Sequence, residues 1–179
     1  MNTTIEILAF VFSLISVYGL GNQKLYGWYA GLIGTMAFFY LFFVENLYMD
    51  MWLQVIFFIQ SAIGIYNWKF KEDDTEINSI PLHIFIFHLI CAIFLGVIIG
   101  KGLETYTDAN QPYLDSVLSV TCLLATYYLT KKVIQNWIIW IGVDILYLIL
   151  FYNQEMWVVL GLYVLFLLNS IKSLASIIG

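Results

Sequence analysis

Arginine does not occur in this chain of 179 residues, and lysine supplies all seven basic side chains. Proline and cysteine occur twice each, and charged residues make up only 11% of the whole. So little charge cannot coat a soluble globular domain, which carries about 25% charged residues. The scarcity of basic groups excludes a nucleic-acid binder, and two cysteines exclude a disulfide scaffold. Cys91 and Cys122 lie in apolar runs without metal-ligand spacing, so both read as buried, reduced thiols. No P-loop, GxSxG or HExxH pattern is present, and no pair of carboxylates sits one turn apart within an apolar run. Catalytic residues, metal ligands and cofactors are therefore not called for, and an enzyme is not expected.

What the chain does have is apolar length. Hydrophobic residues reach 62% and the mean hydropathy is +0.88. The apolar runs are continuous rather than alternating, which points to membrane helices and away from an outer-membrane barrel. Seven spans are predicted: Ile5–Leu20, Tyr26–Val44, Met51–Trp68, Leu82–Gly100, Tyr113–Thr130, Ile134–Tyr152 and Met156–Ile171. Pro81 and Pro112 precede the fourth and fifth, where a missing N–H costs nothing. The segment from Met1 to Glu6 lacks a basic flank, so the first run is expected to stay as a membrane helix. Lys24, Lys69, Lys71, Lys131, Lys132 and Lys172 fall on one side of these spans, and Lys101 alone falls on the other. That asymmetry predicts an external N-terminus and a cytoplasmic C-terminus. The acidic stretch Glu72, Asp73, Asp74 and Glu76 reads as a solvated loop.

An internal repeat is visible when the chain is slid until Trp28 meets Trp137. Leu41 then meets Leu150, Phe42 meets Phe151, Leu53 meets Leu162, Val55 meets Val164, Phe57 meets Phe166 and Ser61 meets Ser170. The amides Gln60 and Asn169 coincide as well. Three spans insert with a flipped exit side, so one linker span makes a second triplet parallel to the first. The expected fold is all-α: a polytopic membrane protein with seven transmembrane helices in a 3+1+3 parallel-repeat arrangement. Its parts are a three-helix bundle over 1–70, a loop and linker helix over 71–111, and a second bundle over 112–179. His83 and His88 on the linker read as structural.

Polar groups inside spans cost several kcal/mol, on the order of 2.5–3.5 for a charge, unless paired or wetted. Trp137, Trp140 and Asp144 recur at helical spacing, so two indoles and a carboxylate share a face that Tyr147 and Phe151 extend. Such a face suits a flat heteroaromatic cation: indoles stack on the ring and the acid balances its charge. The alternative is an aromatic belt with a structural aspartate. Asp115, Ser119, Cys122 and Thr126 form a polar stripe on the fifth span, with Asp115 at its outer mouth. Equally, the stripe is packing glue and Asp115 a helix N-terminal charge. Gln54, Gln60, Ser61 and Asn67 punctuate the third span, where amides either read a polar substrate or bridge helices. Trp28, Gly31 and Thr35 repeat the spacing of Trp137, Trp140 and Asp144 with smaller groups.

Several stretches resemble the Pnu family of vitamin transporters. Leu47-Tyr48-Met49-Asp50-Met51-Trp52-Leu53-Gln54 is similar to that family's LYGDMLLQ stretch, with Met49 in place of the glycine. Ser61 through Trp68 resembles its SxYGWYxW ending, and Asn136-Trp137 through Trp140 its NWxxW element. The resemblance implies a SWEET-like architecture and facilitated diffusion of an unphosphorylated vitamin, with phosphorylation trapping it in the cytoplasm. It implies nicotinamide riboside as the substrate, thiamine as the alternative and a sugar third. Trp137, Trp140 and Gln54 match the family's motif positions, with Asn136 beside them. The expected partners are the vitamin cation, the lipid bilayer and further copies in a homo-oligomer. A non-transporting membrane subunit is the competing reading, in which the polar stripes are helix contacts.

Overall fold

The computed structural model describes residues 3–44, 48–70, 77–107, 111–153 and 157–179. Seven helices account for nearly all of them: α1 (Thr3–Gly21), α2 (Tyr26–Val44), α3 (Tyr48–Phe70), α4 (Leu82–Tyr106), α5 (Pro112–Thr130), α6 (Gln135–Asn153) and α7 (Trp157–Ile178). The acidic stretch and Leu47 of the LYGD-like stretch lie outside the described residues. So do the side chains of Tyr48, Met49, Asp50 and Phe151.

Two helices run well past the C-terminal ends that hydropathy alone predicts. α4 continues past Gly100 because Lys101 and Glu104, one turn apart, pair at 2.6 Å in the polar region beyond the apolar run. Thr107 ends it by donating both its hydroxyl and its backbone N–H to the Leu103 carbonyl, at 2.7 and 2.9 Å. α7 continues past Ile171 through Lys172, Ser173, Leu174 and Ala175, which are good or neutral helix formers outside the apolar run. By length and apolar composition, α1, α2, α4 and the Leu160–Ile178 part of α7 are long enough to cross a membrane. α3 and α5 are diluted by the polar residues that single them out in the sequence, while α6 is apolar over the shorter stretch Gln135–Leu150; the polar groups of all three need an enclosed setting.

The chain packs as two units. The first holds α1–α3 with residues 130–132 and 175–179; the second holds α4–α7 apart from those residues. Within the first, α1 and α2 form a tight hairpin. Its turn is made by Gln23 at φ 56, with the Asn22 amide donating to the Tyr18 carbonyl at 2.8 Å. The backbones touch: a Cβ on Gly27 would lie 2.6 Å from the Leu20 nitrogen, so only glycine fits. Trp28 is 1% exposed and meets Trp68 edge to face at 5.6 Å. Gly64 on α3 makes room for it, since a Cβ there would sit 2.5 Å from the indole. Asn67 donates to the Thr130 carbonyl at 3.1 Å, and the Lys132 ammonium lies 5.0 Å over the Trp68 ring.

In the second unit α4 lies against α5 along Ala92, Gly96 and Gly100, all buried. Cβ atoms on Gly96 and Gly100 would stand 2.6 and 2.8 Å from the Cα atoms of Val117 and Tyr113. His88 and Tyr128 share a hydrogen bond at 2.7 Å. The opposite face of α4 is apolar beyond the exposed His83 of its first turn, with Phe87, Ile90, Phe94 and Ile98 exposed. Cys91 belongs to this outer face, which corrects the expectation that both thiols are buried; Cys122 is enclosed on α5, and both are free. An apolar face against lipid accepts a thiol as readily as a core does.

Candidate functional site

α6 starts from a turn rather than a loop. Lys132 sits at φ 52, and Val133 closes back by donating its N–H to the Tyr128 carbonyl at 3.0 Å. Ile134 then donates to Asn78 at 2.8 Å, and the helix begins at Gln135. From there the face that carries Trp137 and Asp144 turns inward, while Ile138, Ile145 and Ile149 turn outward and are exposed. The aromatic and acidic residues of α6 therefore share the enclosed side of an apolar helix.

Asp144 is 2% exposed, and its Oδ2 accepts from the Ser170 hydroxyl of α7 at 3.3 Å. Ser170 is the residue that the internal repeat pairs with Ser61. Ser61 is also buried, and its hydroxyl lies 3.4 Å from where a Cβ on Gly31 would be. Tyr147 is half-buried and packs on Tyr163 of α7 with ring centres 4.7 Å apart. Trp140 is half-buried as well. Trp137 is 3% exposed, and its Nε1–H has no hydrogen-bond partner among the described residues. Asn136 is 1% exposed; its Nδ2 donates to the Val133 carbonyl at 2.7 Å, while its Oδ1 has no partner among the described residues. A buried donor and a buried acceptor on neighbouring residues are thus left unanswered, at a cost of about 1–3 kcal/mol each. Such groups are rare in folded proteins unless something else satisfies them.

The other sequence candidates divide. Asp115 lies exposed in the first turn of α5. Gln54 and Gln60 are half-buried on α3, in the first unit. Trp28 is buried there too, with its Nε1–H unanswered among the described residues, as in its repeat counterpart Trp137. Thr35 returns its hydroxyl to the Gly31 and Leu32 carbonyls of its own helix, at 3.0 Å each. It therefore does not take the part that Asp144 takes in the second unit. Asn67 acts as a helix bridge, the second of the two roles open to it. Ser170 and Gln135 were not singled out from sequence; the coincidence of Ser170 with Ser61 in the repeat was the one signal that could have found the former. Among the described residues no group of three or more metal-ligating side chains comes together.

Apolar helices that turn an acid and indoles inward define the class: a polytopic helical membrane protein with a polar, aromatic interior face. The family follows from the whole chain. The model of the nicotinamide mononucleotide transporter family matches residues 3–176, and the chain belongs to that family. The chain is 24% identical over 178 residues to the nicotinamide riboside transporter PnuC of Escherichia coli (strain K12), covering 84% of this chain and 74% of that one. The PnuC of Shigella flexneri matches to the same extent. The crystal structure of the vitamin B3 transporter PnuC superposes with a TM-score of 0.76 at 20% identity, over 97% of this chain and 80% of that chain, and shows the same fold.

Proposed function

We propose that this transporter carries nicotinamide riboside by facilitated diffusion, without altering it chemically, and that phosphorylation in the cytoplasm traps what has entered. The observation that carries this reading is the enclosed face of α6. Trp137 and Trp140 stack the pyridinium ring, each worth on the order of 0.5–2 kcal/mol. Asp144 balances its positive charge. Asn136 Oδ1 and the Trp137 Nε1–H, unanswered within the described chain, offer one acceptor and one donor to the carboxamide or ribose. Tyr147 flanks this face. Asp115 stands at the outer mouth of α5. Trp28 is the first unit's counterpart of Trp137, and Gln54 and Gln60 read polar substituents as the solute passes that unit. The names of the bacterial relatives point to the same substrate.

The protein is proposed to lie in the bacterial inner membrane with its N-terminus outside, which the lysine distribution supports. Its organisation is proposed as a bundle over 1–70, a linker stretch over 71–111 and a bundle over 112–179, with self-association into a homo-oligomer.

Equilibrium binding to the purified protein tests the reading. Asp144→Asn and Trp140→Ala should each weaken affinity by about fivefold or more, since each removes roughly 1 kcal/mol. Affinity within about twofold for both variants, below the roughly 0.5 kcal/mol of even an exposed ring contact, places the substrate elsewhere. Tighter binding of thiamine in the same assay assigns the site to that vitamin, and competition by glucose without competition by either vitamin assigns it to sugars.

A further inference from the structure

The start of α6 is tied to a short extended segment just before α4. Asn78 and Val133 form a single parallel bridge, and the Asn78 carbonyl accepts the Ile134 N–H at 2.8 Å. Two residues further on, Ile80 presents a second peptide edge. The partner chain cannot answer it with backbone, because it has already turned into helix at Gln135. The Gln135 side chain answers instead. Its Nε2 donates to the Ile80 carbonyl at 2.8 Å, and its Oε1 accepts the Ile80 N–H at 3.3 Å. One primary amide thus satisfies both hydrogen-bonding groups of one residue, which a continued parallel strand would meet with the residues on either side of Gln135. Asparagine and glutamine alone carry donor and acceptor in that planar arrangement. Pro81 then stiffens the tied segment where it enters α4.

This tie leads directly to the site. Ile134 is held by Asn78 through its N–H and accepts the Trp137 N–H at 3.1 Å. Val133, in the bridge, accepts both the backbone N–H and the side-chain amide of Asn136, at 3.1 and 2.7 Å. The first turn of a helix otherwise lacks intrahelical partners for its N–H groups and frays. Here Asn136 and Trp137 occupy that turn. Both polar atoms of Gln135 are engaged by Ile80, so Gln135 supports the site without offering a contact of its own.

We propose that Gln135 is a positioning residue whose side-chain amide extends the Asn78–Val133 bridge, locks the first turn of α6 to the segment before α4, and thereby holds Asn136 and Trp137 at the angle at which substrate meets them. The consequence for binding rests on the role given above to the α6 face; the locking does not. Side chains that hold a site need to be fixed to within about 0.5 Å by such supporting bonds.

The test uses the full chain in detergent, with amide hydrogen exchange and equilibrium binding of nicotinamide riboside read in parallel. Gln135→Met keeps the length and removes both hydrogen bonds; Gln135→Glu keeps the shape and turns an acceptor toward the Ile80 carbonyl. Each should speed exchange over residues 134–137 by about fivefold or more while leaving Leu118–Ala125 of α5 unchanged. Each should weaken affinity by about fivefold in the native background, yet by less than about twofold when Asn136→Ala and Trp137→Ala are already present together, because all these changes act on the same contacts. Unchanged exchange at the start of α6 overturns the proposal, and so does an equal affinity loss in both backgrounds, which marks a general loss of structure. If the native protein does not bind nicotinamide riboside, the substrate reading fails and exchange alone decides whether Gln135 locks the turn. Should Gln135→Met not fold, Gln135→Glu carries the same measurements.

Discussion

Trp28 fits inside the first unit only because residue 64 has no side chain. The indole occupies the volume that a Cβ would claim, with three of its ring atoms within 2.7 Å of that point. Gly64→Leu should therefore lower stability by about 1–3 kcal/mol, the usual cost of overfilling a packed interior. A thermal melt in detergent checks it, and an unchanged midpoint would mean that Trp28 finds another rotamer. At this scale the sequence was legible where chemistry repeats along one helix. Trp137, Trp140 and Asp144 stand out by spacing alone, and the structure turns Trp137 and Asp144 inward. It was illegible where a partner lies far along the chain. Nothing local in Asn67 distinguishes a substrate amide from one donating to Thr130, and nothing in Gln135 hints at Ile80. Those pairings depend on which helix ends lie side by side, which one-dimensional periodicity does not encode.

The apposition of α4 and α5 rests on Gly96 and Gly100, each facing backbone rather than a movable side chain. Gly96→Leu must therefore push the helices apart, and a loss of about 1–3 kcal/mol is expected. Gly102, two residues beyond Gly100 and on the other side of the helix, has nothing within 4 Å of an added Cβ. Gly102→Leu should leave the melting midpoint near that of the native protein, so a pair of melts separates packing from helix propensity. If Gly96→Leu is as harmless as Gly102→Leu, close packing does not hold α4 in place. Element positions were legible because apolar runs and prolines bracket them. The ends of α4 and α7 were not. Hydropathy reports where the membrane stops, while Lys101–Glu104 and the run from Lys172 to Ala175 carry the helix onward.

For the molecule as a whole, composition points to the surroundings and lysine to the expected direction. The outer face of α4 presents Phe87, Ile90, Phe94 and Ile98, a surface suited to lipid tails. Six lysines on one side against Lys101 on the other predict a cytoplasmic C-terminus. A reporter fused there should be active only when it needs the cytoplasm; one active only in the periplasm would reverse the assignment.

The bond from Asn67 to Thr130 spans 63 positions of sequence. A ribosome adding about 5–20 residues per second delivers the carbonyl roughly 3–13 s after the amide has emerged. For that interval α3 must enter the bilayer with an amide that has no Thr130 to receive it. Biogenesis of the first unit is therefore completed late, by the last residue of α5, and pausing translation between α4 and α5 would leave α3 the least secure part of the nascent protein.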